Sequence, residues 1–453
     1  MFKLVNSFIQ MHSNLLKKRR NSSWAVNISK VYIGDVISSI IAAVTLVIII
    51  RNVSINDYAN YTAFHTILTL FPALIGSGIN LAMIRFSSEH FSKTGERHIN
   101  LYLISFILQI VIYIVFCSVI IFLKDNITAI LFGEKEFNSA FLFGAIGGFG
   151  FLVFQAGISV YKAEEKFNTY IGLNWFKYGF ILILICGLFL FQRLKFENIA
   201  VSIIFVNLIL AAIIIFQIFR DYNLLKILAS IYSYLNSFIE FFSSTAWLMA
   251  FIFTITAFQR IDIFMLSHFS INEELANYGV AFQYYLLALL FLNSINTVLL
   301  PKFSKVEMQN SKSQLQFLQK WIKTTWWLII PIVLFDIFGK TLFLWISGKQ
   351  YEKAFYIFII FTGGIWLSIL LSPLINILMA RKNFKFLFIL SLVALVFNFI
   401  GNYIFIPKWH GYAAALVAIL SHGIINIFAF LKCLGLSQIF VKMRISRDNI
   451  GSK

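Results

Sequence analysis

"DYANYTAFHT" (Asp57 to Thr66) and "ELANYGVAFQ" (Glu274 to Gln283) both set Ala-Asn-Tyr, at 59–61 and 276–278, just ahead of a long apolar run. Each run is then followed by a basic residue, Phe and Ser, at 85–87 and 302–304, so the offset is 217 both times. Two further matches keep step. Gly147-Gly148 faces Gly363-Gly364 at offset 216, and "AEEKF" (Ala163 to Phe167) faces "ARKNF" (Ala380 to Phe384) at 217. Four registrations at essentially one spacing point to a tandem duplication. Such a chain is expected to form two similar halves related by an axis along the membrane normal, with a binding site between them.

That a membrane is involved follows from composition. Of 453 residues, 60% are hydrophobic and only 12% charged, about half the share a water-facing surface needs. Runs of about 20 apolar residues cross a ~30 Å hydrocarbon core as helices. Twelve occur, at about 31–50, 61–84, 100–123, 137–161, 171–191, 198–219, 243–269, 278–300, 324–346, 354–379, 384–406 and 411–434. They are too long and unbroken for membrane β-strands. The expected fold is therefore an all-α polytopic membrane protein, with 12 transmembrane helices in two tandem six-helix halves around a central cavity. The expected segments are a basic cytoplasmic arm (1–27), an N-terminal half (28–220), a linker (221–239), a C-terminal half (240–434) and a basic tail (435–453).

A net charge of +18 raises nucleic acid as a partner, and its distribution answers against it. About 27 of the 37 Lys and Arg fall on the side of the two termini, counting Lys177 with the loop before its span. About 9 fall on the other side and Arg260 lies within a span. The positive-inside rule then places both termini in the cytoplasm of a multi-pass inner-membrane protein, and the excess charge is topological. "LLKKRR" (Leu15 to Arg20) precedes a full-length span, so no cleaved signal is expected. Cys117, Cys186 and Cys433 lie inside spans without a paired motif, which implies neither a disulfide framework nor a metal site.

"QRIDIFML" (Gln259 to Leu266), "NYGVAFQ" (Asn277 to Gln283), "LLPKFSKV" (Leu299 to Val306), "ISGKQYEKA" (Ile346 to Ala354) and "NFIGNYIFIPKWHGYAAALVA" (Asn398 to Ala418) carry a resemblance in their order and spacing. The chain resembles the Wzx-type polysaccharide flippases of the multidrug/oligosaccharidyl-lipid/polysaccharide exporter superfamily along nearly its whole length. One departure is Ala413, where the family pattern has a second glycine near the last span. The resemblance implies transfer of undecaprenyl-pyrophosphate-linked oligosaccharide repeat units, such as O-antigen, to the outer leaflet. It also implies membrane lipid as a partner, with H+ or Na+ as coupling ions and a polysaccharide polymerase and chain-length regulator downstream. No cofactor is implied.

Intramembrane charge locates the candidate residues, because a charge in hydrocarbon costs at least ~2.5–3.5 kcal/mol without water, a partner or a task. Arg260 and Asp262 sit two apart on one span, about 200° around a helix, so they cannot face one cavity together. Arg260 is the candidate for holding an anionic head group. Asp262 is the candidate for ion coupling or charge pairing, as is Asp35 one turn into the first span. Arg85 and Lys302 occupy matching ends of two spans and could receive a pyrophosphate or simply anchor those ends. Lys177, well inside its span, is also assigned to substrate binding. His65 and His422 are read first as packing residues, and Gln259, Asn207, Asn398 and Asn402 as sugar contacts or helix bridges.

Competing classes are weaker. "FGKT" (Phe338 to Thr341) imitates a phosphate loop, but Leu334 stands where its first glycine belongs. No metal-ligand set is apparent and the outer loops are short for a catalytic domain, so an enzyme such as a glycan polymerase is not expected. The main alternative is a drug or cation antiporter of the same fold, which would need an acidic cavity where the flippase needs a cationic one.

Overall fold

The computed structural model of the chain describes residues 23–94, 99–133, 137–221, 235–307 and 311–433. Residues 1–22, 222–234 and 434–453, most of the expected arm, linker and tail, lie outside the described residues. Among the described residues the ordered structure is helical and no strand occurs. In lipid the backbone must satisfy its own N–H and C=O groups, and a helix does so within one segment.

The first half contains α1 (Ser23–Asn52), α2 (Ile55–Thr94), α3 (Ile99–Phe122), the short α4 (Lys124–Phe132), α5 (Asn138–Ala163), α6 (Phe167–Leu190) and α7 (Phe196–Asp221). The second half contains α8 (Leu235–Phe258), α9 (Ile261–Phe269), α10 (Asn272–Glu307), α11 (Ser311–Thr325), α12 (Ile329–Phe338), the short α13 (Lys340–Ser347), α14 (Glu352–Ala380) and α15 (Phe384–Cys433). Ten described helices are long and apolar enough to cross a membrane. The last, α15, is two limbs. His410 leaves the helical region at φ 47°, and a Cβ on Gly401 would stand 2.8 Å from Val417. Residues 16 apart on a straight helix would be about 24 Å apart, so the limbs run back along each other.

The sequence offset of 217 recurs in the backbone. Glu165 (φ 61°) and Lys382 (φ 58°) both end a helix in the left-handed region. Their loops bond alike, Lys166 N–H to Tyr161 C=O and Asn383 N–H to Leu378 C=O, the paired-carbonyl closure typical of helix C-termini. Gln192 (φ 56°) and His410 (φ 47°) correspond in the same way at offset 218. The short helices α4 and α13 also correspond, and each ends on a glycine with positive φ, Gly133 and Gly348.

Helices approach closely where side chains are small, as expected when packing rather than water exclusion holds them together. Gly144 of α5 faces Ile67 and the Phe64 carbonyl of α2, and Gly150 faces the backbone of Asn207 on α7. Pro72 and Pro373 lie inside α2 and α14 without ending them. Two expected spans are not continuous, and 324–346 is divided among the end of α11, a 3-10 turn (Trp326–Leu328), α12 and α13. The run 243–269 divides into α8 and α9, with Gln259 and Arg260 between them.

Candidate functional site

The break in that run fixes the two central charges. After Phe258 the chain tightens into turn bonds, Arg260 N–H donating to Ala257 C=O at 3.1 Å, and α9 restarts with Arg260 as its N-cap. Asp262 thereby occupies the first turn of α9, where a helix N-terminus favours an anion. The two side chains then part company.

Asp262, 2% exposed, turns into the second half, where the Tyr278 hydroxyl of α10 donates to its Oδ2. Its Oδ1 is buried with no hydrogen-bond partner. The carboxylate borders a narrow cavity between α8–α9, α10, α14 and α15, whose other polar walls are Gln259, Tyr285 and His422. The His422 ring packs edge-on to Phe258 at 4.7 Å.

Arg260 does not pair with Asp262 and does not border that cavity. Its guanidinium lies 5.2 Å from the centre of the Phe282 ring, and Nη1 is buried without a hydrogen-bond partner. Phe282 holds the position 217 residues after His65, and His65 accepts or donates a 3.3 Å contact with Gln283 of α10. Arg260 thus lies beside the contact of α2 with α10.

Lys177, 5% exposed on α6, places its ammonium over Phe151 at 4.3 Å and Phe154 at 4.5 Å. Among the described residues no carboxylate pairs with it. A cation–π contact returns only ~0.5–2 kcal/mol, less than the ~2.5–3.5 kcal/mol or more that a charge costs at depth.

Asp35 takes neither Lys30 nor solvent as its main partner. The Tyr170 hydroxyl of α6 donates to it at 2.6 Å, and the Lys162 ammonium caps the same Tyr170 ring at 4.4 Å. This cluster stands apart in the first half, on α1, α5 and α6. Arg85, at the far end of α2, reaches across to the second half, donating to the Met379 carbonyl at 3.4 Å and stacking over Phe384 at 4.7 Å. The side chain of Lys302 lies outside the described residues. Among the described residues no three His, Cys, Asp or Glu side chains converge as metal ligands would.

The site residues not named from the sequence are Tyr278, Tyr170 and Lys162. Tyr278 belongs to the repeated Ala-Asn-Tyr, and that repetition was a signal for it. Its neighbour Asn277 accepts from the Ala354 N–H of α14 at 3.0 Å.

Residues 25–307 match a family described as polysaccharide biosynthesis protein, and residues 274–452 match that of the lipid II flippase MurJ. No curated protein matches by sequence. Three solved structures with the same fold show the range of the likeness. One is a lipid II flippase MurJ in an inward closed conformation, with TM-score 0.69 and 18% identity over 89% of this chain and 87% of that one. Another is an inward-facing multidrug resistance MATE family transporter of the MOP superfamily, with TM-score 0.60 and 13% identity over 92% and 96%. The third is a MOP superfamily transporter from Pyrococcus furiosus, with TM-score 0.53 and 12% identity over 91% and 96%.

Proposed function

Since the chain belongs to the polysaccharide biosynthesis protein family, we propose that it is a flippase for lipid-linked oligosaccharide. In this reading it carries undecaprenyl-pyrophosphate-linked repeat units, of O-antigen or a similar surface polysaccharide, from the cytoplasmic to the periplasmic leaflet. The halves, 28–220 and 240–434, alternate access to a site between them. Both termini are cytoplasmic in the inner membrane, and a polymerase and chain-length regulator take up the product.

The observation that carries the reading is the state of the interior cations. Arg260 and Lys177, one from each half, rest on aromatic rings rather than on carboxylates. Rings hold a cation without neutralising it, so an anionic head group entering between the halves completes both. A pyrophosphate suits them, since a guanidinium binds its oxygens through a rigid fork and an ammonium as a point charge. A drug or cation antiporter would place carboxylates there, whereas Asp262 turns away from that position. Arg85 and Lys302 would meet the head group at the cytoplasmic mouth.

Asp262 fits the coupling role, binding H+ or Na+, because its unpartnered Oδ1 borders a cavity with Gln259 and His422. Asp35 is the corresponding candidate in the first half. Nothing in these roles calls for bond-breaking chemistry, and the chain is read as a transporter rather than an enzyme.

The test is a comparison of Arg260→Ala and Arg260→Lys in a strain lacking the chain, reading surface polysaccharide against protein abundance. Alanine is expected to lower polymer about ten- to hundredfold, the loss of ~1.5–3 kcal/mol for a bond to a charged group. Lysine is expected to keep part of the activity. Full polymer from the alanine variant at normal abundance removes Arg260 from cargo binding.

A further inference from the structure

The two halves touch at both ends of the bundle, and the contacts differ in kind. On the face where the repeats begin, α2 crosses α10 at Thr62 and Gly279. These residues are 217 apart, so the contact is a position meeting its own copy, as on a two-fold axis. A Cβ on Gly279 would stand 2.3 Å from Thr62 Oγ1 and 3.1 Å from Thr62 Cβ, which rotation of the side chain cannot relieve. Two more contacts flank this crossing. Gly133 after α4 lies against His268 of α9, and Gln350 after α13 donates to the Val53 carbonyl after α1 at 3.4 Å.

On the opposite, basic face, which carries the loops at 163–167 and 380–384 and most of the Lys and Arg residues, α2 meets α8 instead. A Cβ on Gly78 would stand 3.0 Å from the Met249 Cα and 3.3 Å from its carbonyl oxygen, both backbone atoms that cannot swing aside. Phe86 packs edge-on to Phe241 at 5.6 Å beyond it. The one helix α2 therefore forms a wall of both closures, through Thr62 at one end and Gly78 at the other.

We infer that Gly279 and Gly78 are the gate positions of the two faces, where a missing side chain lets the halves close first on one side and then on the other. This rests on the alternating-access reading above and assigns its gates. A methyl at Gly279 wedges open the face where the repeats begin, and one at Gly78 wedges the basic face open. Because Thr62 and Gly279 are equivalent positions, exchanging them keeps one side chain in the crossing and preserves closure.

The test uses the full chain with Cys117, Cys186 and Cys433 changed to Ser and Gln283→Cys as an interior reporter, in right-side-out and inverted vesicles. Modification by a membrane-impermeant maleimide is expected to quicken about tenfold from the face where the repeats begin in Gly279→Ala, and from the basic face in Gly78→Ala. The exchange Thr62→Gly with Gly279→Thr is expected to return the parent rates, which also shows that the crossing still folds. Rates unchanged in both alanine variants, or raised equally from both faces, overturn the assignment, as does an exchange variant no closer to the parent than Gly279→Ala. These rates need no transport. A chain that gates this way but moves no lipid-linked saccharide would refute the proposed function and leave the gates standing.

Discussion

Arg260 and Lys177 share a chemical situation, a buried cation on aromatic rings, although they come from different halves and different local sequences. If both hold one anion, their losses are coupled. Lys177→Ala is expected to reduce surface polymer about tenfold, and adding Arg260→Ala is expected to cost less than the product of the single effects. Strict additivity would place them at separate tasks. Tyr278 offers a second residue-scale test. Tyr278→Phe removes the donor to Asp262 Oδ2 and strands a buried carboxylate, a penalty of ~1–3 kcal/mol. Tyr61→Phe, at the equivalent position of the first half, removes no such bond. Polymer yield at constant protein level is expected to fall several-fold for the first and to stay near normal for the second, and equal yields would contradict the role given to Tyr278. The sequence suggests that Arg260 and Asp262 diverge because residues two apart on a helix lie about 200° around it, but Arg260 lies in the break before α9, and it is the break that parts them. Their partners were not legible, since an aromatic ring or a distant tyrosine hydroxyl leaves no mark in the residues around the charge.

Helix packing here depends on positions without side chains, and the glycines divide sharply. A Cβ at Gly150 would meet the Asn207 carbonyl carbon at 2.7 Å, while one at Gly179 on α6 would meet nothing within 4 Å. Gly150→Ala is expected to destabilise the detergent-solubilised protein by ~1–3 kcal/mol through overpacking. Gly179→Ala should leave its thermal midpoint unchanged. Similar midpoints for both would contradict this account of the α5–α7 contact. Most element positions were readable from the length of the apolar runs, including the turns at 163–167 and 380–384. The interruption at Gln259 and Arg260 was not, because neither glycine nor proline marks it. Nor was the hairpin at His410 legible as a strained turn, since a histidine at positive φ is uncommon and the preceding Pro407 stays within the helical run.

At the scale of the molecule, the repeat at offset 217 was the most informative feature of the sequence, and it extends to left-handed residues and short helices that no composition reveals. Symmetry also shows what is singular. Arg260, Lys177, Asp35, Asp262 and His422 correspond to Ala43, Ala394, Ile252, Thr45 and Phe205 in the other half, so each charge or imidazole belongs to one half alone. A duplicated scaffold carrying unduplicated charges fits the carrier of an asymmetric, anionic amphiphile proposed above. The central claim is that these charges move a lipid-linked saccharide across the membrane, and sidedness tests it directly. In spheroplasts depleted of the chain, diphosphate-linked repeat units would be labelled with an impermeant oxidant of sugar diols and then counted by mass spectrometry of the extracted lipid. The expected result is accumulation of repeat units that the label cannot reach, restored to labelling by the intact chain and not by Arg260→Ala. Repeat units labelled as fully in depleted cells as in intact ones would contradict it.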